Sequence, residues 1–225
     1  MGSIVRGLGI RAAPSLLRDL GFASDLSPAA LLPNLALHVD EEHSSAPSLL
    51  VDGNDPLGDS LDGIPCTKID QLKQTSELCH PNGVTRCDHI VVRTPDWART
   101  ASAFEKAGWQ EALVRDDVYP GTRLSFFRVG SRGNRLTLEL VAPISRKPSK
   151  EEKPARIWGV TWLAGGGLDM VASALGGDFK LSEGKAAIQP GRRIATLRGD
   201  AGGLAMAFMT PKDERCLKEL TVGLL

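Results

Sequence analysis

The sequence predicts an α+β fold in which one β-α-β-β-β unit is used twice, the paired units forming a cup-shaped mixed sheet. Three observations predict it. The same order of strands and one helix recurs at residues 87–143 and 156–211, a short helix follows the first strand of each copy, and the closing strands share a tail, Leu140-Val141-Ala142-Pro143 against Phe208-Met209-Thr210-Pro211. In the first copy, Cys87-Asp88-His89-Ile90-Val91-Val92-Arg93 alternates, so that His89, Val91 and Arg93 share one strand face, with Cys87, and Ile90 and Val92 the other. Thr94-Pro95-Asp96-Trp97 supplies a side-chain N-cap and a proline at the first helical position, and Trp97, Ala101, Phe104 and Ala107 then fall at helical spacing. Gly108 closes the helix. Strands over Gln110–Val118, Thr122–Val129 and Arg135–Val141 follow, separated by Pro120-Gly121 and by residues 130–134.

The second copy places its first strand at Trp158–Leu163, its helix at Leu168–Leu175, its third strand at Gly191–Arg198 and its fourth at Leu204–Thr210. A repeat of this length is one supersecondary unit used twice, because a single twisted sheet covered by one helix leaves its other face exposed. The two copies are therefore expected to face each other.

Asp88-His89-Ile90-Val91-Val92 and Leu138-Glu139-Leu140-Val141 give this repeat its resemblance to the vicinal oxygen chelate superfamily, the glyoxalase and bleomycin-resistance fold. Residues 88–96, Phe126-Phe127-Arg128-Val129-Gly130, Trp158-Gly159 and residues 189–196 resemble a glyoxalase-like subfamily with no assigned reaction, and the resemblance covers roughly residues 80–211. It implies a divalent metal in the cup, with ligands from the first and fourth strands of each unit. His89 and Glu139 stand where the first unit's two ligands belong, as metal ligands or as a catalytic proton-transfer pair, whereas Gly159 and Ala207 stand where the second pair belongs. The expected cofactor is at most a weakly held divalent metal. The residues read without the resemblance leave another role open: a hydrogen-bonded strand histidine, and a carboxylate paired with Arg93 or Arg128.

Strand parity adds Arg93, Thr137, Phe127, Trp158 and Arg193 as candidates for contact with a substrate. Thr137 and Val91 would line the polar half of the cup, and Thr161, Leu163, Ala205 and Met209 the other, as in a pocket for a small amphipathic or aromatic molecule. Phe126, Phe127, Trp158 and Trp162 could stack on a ligand or serve as core. Arg192-Arg193 could clamp a carboxylate or be solvated strand-end charge. The function read from this is small-molecule binding in a cup whose second metal half is degenerate, the alternative being a metal-dependent lyase, isomerase or dioxygenase of the glyoxalase type.

The chain carries 27 basic and 27 acidic residues, a balance that offers no footprint for nucleic acid or an anionic membrane, and no stretch approaches the roughly 20 apolar residues of a membrane span. The expected partner is a small-molecule ligand, with a homodimer open. Cys66, Cys79, Cys87 and Cys216 form no Cys-x-x-Cys pair, which suits a reducing, cytoplasmic setting; the spacing of Cys79-His80 and Cys87-x-His89 matches no common zinc module. Residues 146–154 read as a solvated linker of mixed charge. Residues 1–79 read as an N-terminal arm or truncated unit, partly disordered, preceding the double unit at 80–225. Their first 18 residues, with Arg6, Arg11 and Arg18 and no acid, would also suit an organelle transit peptide. Within them Leu35–Val39 alternates as a strand, and Asp40–Asp62 reads as a mobile loop.

Overall fold

A computed structural model of the chain describes residues 3–13, 15–23, 29–42, 46–53, 55–69, 80–130, 135–145 and 153–212. Cys79, Cys216 and most of the 146–154 linker lie outside the described residues. The N-terminal part runs β1 (Val5–Arg11), α1 (Ser15–Asp19), β2 (Ala29–Leu31), β3 (Ala36–Asp40), β4 (Ser48–Asp52), β5 (Ser60–Leu61) and β6 (Ile64–Ile69), in a six-stranded sheet of order β2-β3-β1-β4-β6-β5. β1 is parallel to β3 and antiparallel to β4, and β4 is parallel to β6. This is two shortened halves joined first strand to first strand. β4 contradicts the mobile loop expected over Asp40–Asp62. Leu49, Leu50 and Val51 are all buried, since a strand hydrogen-bonded on both sides reads as a continuous apolar run, here disguised by flanking Ser, Gly and Pro.

The first unit runs β7 (Val84–Arg93), α2 (Trp97–Lys106), β8 (Gln110–Tyr119), β9 (Thr122–Val129) and β10 (Leu136–Pro143), close to its predicted bounds. The helix begins one turn element later than Thr94-Pro95 suggested: Asp96 is the N-cap, accepting from the Arg99 amide at 3.2 Å, while Thr94 Oγ1 accepts from the Asp96 amide at 3.1 Å. Gly108, at φ +80°, turns the chain out of the helix in the left-handed conformation that a side chain disfavours. The second unit runs β11 (Arg156–Ala164), α3 (Leu168–Ala174), β12 (Lys180–Leu181), β13 (Lys185–Ala186), β14 (Arg193–Arg198) and β15 (Ala205–Met209).

All nine of these strands share one sheet, of order β12-β14-β15-β11-β7-β10-β9-β8 with β13 on β14. In each unit the last strand lies parallel to the first, β10 on β7 and β15 on β11. The units meet edge to edge through antiparallel β7 and β11, where the sequence led us to expect them face to face. Ladder hydrogen bonds continue across the seam, so no unit leaves its first strand as an open edge.

The helices and the N-terminal sheet cover the back of this sheet. Leu8, Ile10, Leu17 and Phe22 fall in one core with Cys87, Ile90, Val92, Phe104, Phe127 and Trp162. Phe22 meets Trp162 edge-on at 5.6 Å, the Trp109 indole donates to the Ser3 carbonyl at 2.9 Å, and the Asn34 amide donates to the Cys87 carbonyl and accepts from its N–H, at 2.8 and 2.9 Å. No helix among the described residues is long and apolar enough to cross a membrane.

Candidate functional site

Two bulges of identical placement shape the front of the sheet. In the seam ladder Thr161 pairs with His89 and Trp162 with Cys87, so Asp88 is an extra residue; likewise Gly159 pairs with Val91 and Ile157 with Val92, so Trp158 is extra. A bulge resets alternation. Cys87 and Ile157 therefore belong to the core on the back, while His89 and Gly159 lie on the front. This corrects the expectation that Cys87 shares the face of His89. Cys87 is fully buried, and burial pushes its thiol well above the ordinary range, with the Asp88 charge adding to the effect.

The Asp88 bulge gives His89 a partner that strict alternation would have put on the other side. Asp88 Oδ2 lies 2.9 Å from His89 Nδ1, and Asp88 Oδ1 accepts from Arg192 Nη2 at 2.6 Å. Arg192 is itself fixed, donating through Nε to the Thr210 carbonyl at 2.8 Å and through Nη1 to Gln189 Oε1. The other ring nitrogen, Nε2, is shared between Thr161 Oγ1 at 3.0 Å and Glu139 Oε2 at 3.2 Å. Glu139 sits opposite Val91 in the parallel β10–β7 ladder and opposite Phe126 in the β10–β9 ladder. The sequence expectation that His89 and Glu139 come together is what the geometry shows.

Burial alone would drive proton loss from His89. Hydrogen bonds to Asp88 and Glu139, with the charges of both, outweigh it and raise the imidazole to about 9. At neutral pH the ring is an imidazolium, with Nδ1–H and Nε2–H both donating. Burial likewise works against the Asp88 carboxylate, but hydrogen bonds from His89 and Arg192 hold it below its usual range.

His89, Glu139 and Thr161 form the polar floor of a front-face cavity of about 830 Å³, within the range of small-molecule sites, and Asp88 and Arg192 back His89 from outside its lining. Val91, Leu124, Phe126, Val141, Ala207 and Met209 supply apolar wall, and the half-exposed Leu113, Tyr119 and Ile188 its rim. Arg93 and Trp158 both reach the cavity, the guanidinium lying over the indole at 3.9 Å from its centre.

Three of the other predicted contacts differ. Phe127 is fully buried on the back, edge-on to Phe104 at 5.1 Å, because it pairs with Leu138; Phe126 lines the cavity in its place, opposite Glu139. Arg193 turns away, donating to the Gly184 carbonyl at 2.7 Å, and it is Arg192 that reaches Asp88 behind His89. Thr137 shares the strand face of Glu139 but pairs with Arg128 one step along and does not line the cavity. Arg192 and Thr161 enter the site as hydrogen-bonding groups. Arg192 precedes the strand it was assigned to, so parity could not place it, whereas the His89–Thr161 pairing could be found by laying one copy antiparallel to the other.

The second unit has no counterpart of the His89 and Glu139 side chains. In the seam, the His89–Thr161 pair has as its counterpart Gly159–Val91, and Glu139 has Ala207. A Cβ at position 159 would sit 2.7 Å from the Ala205 carbonyl oxygen, so no histidine fits there without moving backbone. His80, considered above in the zinc pattern, accepts from the Ala23 amide at 3.1 Å, and its Nε2 lies 3.0 Å from the Leu31 carbonyl; burial lowers its pKa. Both of its nitrogens are used by backbone groups of the N-terminal part. Among the described residues no group of three or more His, Cys, Asp or Glu is arranged to hold a metal. The donor set therefore does not fit a four-ligand divalent centre.

No protein-family model matches the chain, and no curated protein matches it. Among solved structures it is similar to a methylmalonyl-CoA epimerase from Mycobacterium tuberculosis, at 17% identity over 60% of this chain and 93% of that one, TM-score 0.46. Streptomyces coelicolor methylmalonyl-CoA epimerase in complex with 2-nitronate-propionyl-CoA gives 17% identity over 58% and 99%, TM-score 0.44. A hypothetical protein from Bacillus halodurans C-125 gives 15% over 57% and 96%, TM-score 0.43.

Proposed function

We propose that the chain is a glyoxalase-like protein that binds a small molecule in the cup between its two units, without the four-ligand metal centre of that fold. The observation that carries this is the cavity of about 830 Å³ with a charged His89–Glu139–Thr161 floor on one side and Gly159 and Ala207 where a second set of donors would stand. A ligand there would bury an apolar body against Val91, Val141 and Met209.

The His89–Glu139 contact also favours a second reading, an acid–base enzyme of the lyase or isomerase type. His89 would donate a proton through Nε2 and Glu139 would receive one. A metal-dependent version would require His89 to surrender the proton that two carboxylates hold, and would leave the ion mainly to water.

Isothermal titration of the full chain with a panel of aromatic and medium-chain aliphatic compounds tests the binding reading. Ala207→Trp, which fills the cup, should abolish binding of any hit while leaving Tm within a few degrees. Hits that bind the filled variant equally well, or a panel without hits, would reject the reading.

A further inference from the structure

Arg93 and Arg156 stand directly opposite each other across the β7–β11 seam. Like charges in that position repel, and proteins normally relieve them with a carboxylate. Here none is present: among the described residues neither arginine has a carboxylate partner, and the nearby acids are engaged elsewhere, Glu139 on His89, Asp88 on His89 and Arg192, and Asp62 on Arg99. A third cation, Lys153, joins them around a groove of about 550 Å³. Arg93 lines both this groove and the cup, which places the positive cluster at the edge of the apolar cavity.

Resting on the reading that the cup binds a small molecule, we propose that its ligand is an amphipathic anion. Its apolar body lies against the Val91, Val141 and Met209 wall, and its carboxylate or phosphate lies on Arg93 and Arg156. Two guanidiniums can meet one oxyanion with paired N–H donors, and a bound anion would remove the repulsion that the free protein carries. The Trp158 ring under Arg93 holds that guanidinium in place and adds apolar surface beside it.

Four ligands with the same phenylhexyl body test this: 6-phenylhexanoate, 6-phenylhexyl phosphate, 6-phenylhexanol and 6-phenylhexylamine, titrated into the full chain at low and high salt. One of the two anions should bind about tenfold or more tightly than the alcohol, with the amine weakest and the advantage shrinking in salt; which anion leads identifies the head group. Arg156→Gln should lose about that tenfold for the anion and nothing for the alcohol, with Tm unchanged or higher because a like-charge contact is gone. Equal binding of alcohol and anions, or full anion affinity in both Arg156→Gln and Arg93→Gln, would overturn the inference. If alcohol and anions bind equally and Ala207→Trp abolishes both, the cup reading survives and the anion inference fails. If nothing binds that Ala207→Trp removes, both fall.

Discussion

The two halves of the cup have the same backbone and different chemistry. Each begins with a bulged first strand, at Asp88 and at Trp158, and each returns a parallel last strand beside it. In the first half the bulge brings a carboxylate to His89; in the second it brings an indole beside Gly159. Backbone pairing depends little on side-chain identity, so the scaffold persists while the side chains diverge. At Gly159 a Cβ would meet the Ala205 backbone at 2.7 Å, so this position carries no side chain.

Placing a histidine at position 159 is the harshest way to break the comparison. Gly159→His should cost about 3 kcal/mol or more, since the new side chain overlaps backbone and cannot simply rotate away. Chemical denaturation would show it. A stable Gly159→His variant that gains metal affinity would mean that the second half is an open ligand position.

His89→Ala comes next. Removing the imidazolium leaves Glu139 without its partner and Asp88 with Arg192 alone. A loss of about 2–3 kcal/mol at neutral pH is expected. The pH dependence sharpens the point. A folded pKa raised from 6.5 to about 9 means that the His89 contribution is fully present below pH 6.5 and is lost as pH rises through 9. Unfolding midpoints in denaturant should fall across that window in the parent chain and stay nearly flat in His89→Gln. Equal slopes in both would show that the clamp does not hold the proton.

A smaller effect is expected at Asn34, which reaches from the N-terminal part to satisfy both backbone groups of Cys87 beside the Asp88 bulge. Asn34→Ala should cost about 2 kcal/mol by leaving that peptide unpaired, and should shift the His89 ring resonances although the two residues are not in contact. Unmoved resonances would show that the bulge stands without its N-terminal brace.

Element order was legible because each element has its own signal: period-two strands, the apolar spacing of Trp97, Ala101 and Phe104, and Gly108 after the helix. His89 and Glu139 were legible as a pair because His89 follows the bulge in β7 and β10 has none, so alternation holds at both. The bulges were not, since nothing in Cys87-Asp88-His89 announces an extra residue, and the misplacement of Cys87 followed from that. Phe126 could have been chosen over Phe127 from the β9–β10 hairpin, whose register sets Phe126 opposite Glu139. Asn34, after Pro33, looks like turn chemistry, and its role depends on a contact 53 residues away.

Metal content tests the asymmetry of the cup most directly. The chain, purified without added metal and dialysed against a chelator, should carry far less than one zinc, iron or manganese ion per molecule by elemental mass spectrometry, because Gly159 and Ala207 stand where a second His and Glu would and His89 keeps its proton. One retained ion per chain would contradict this account, and would require ligands beyond His89 and Glu139.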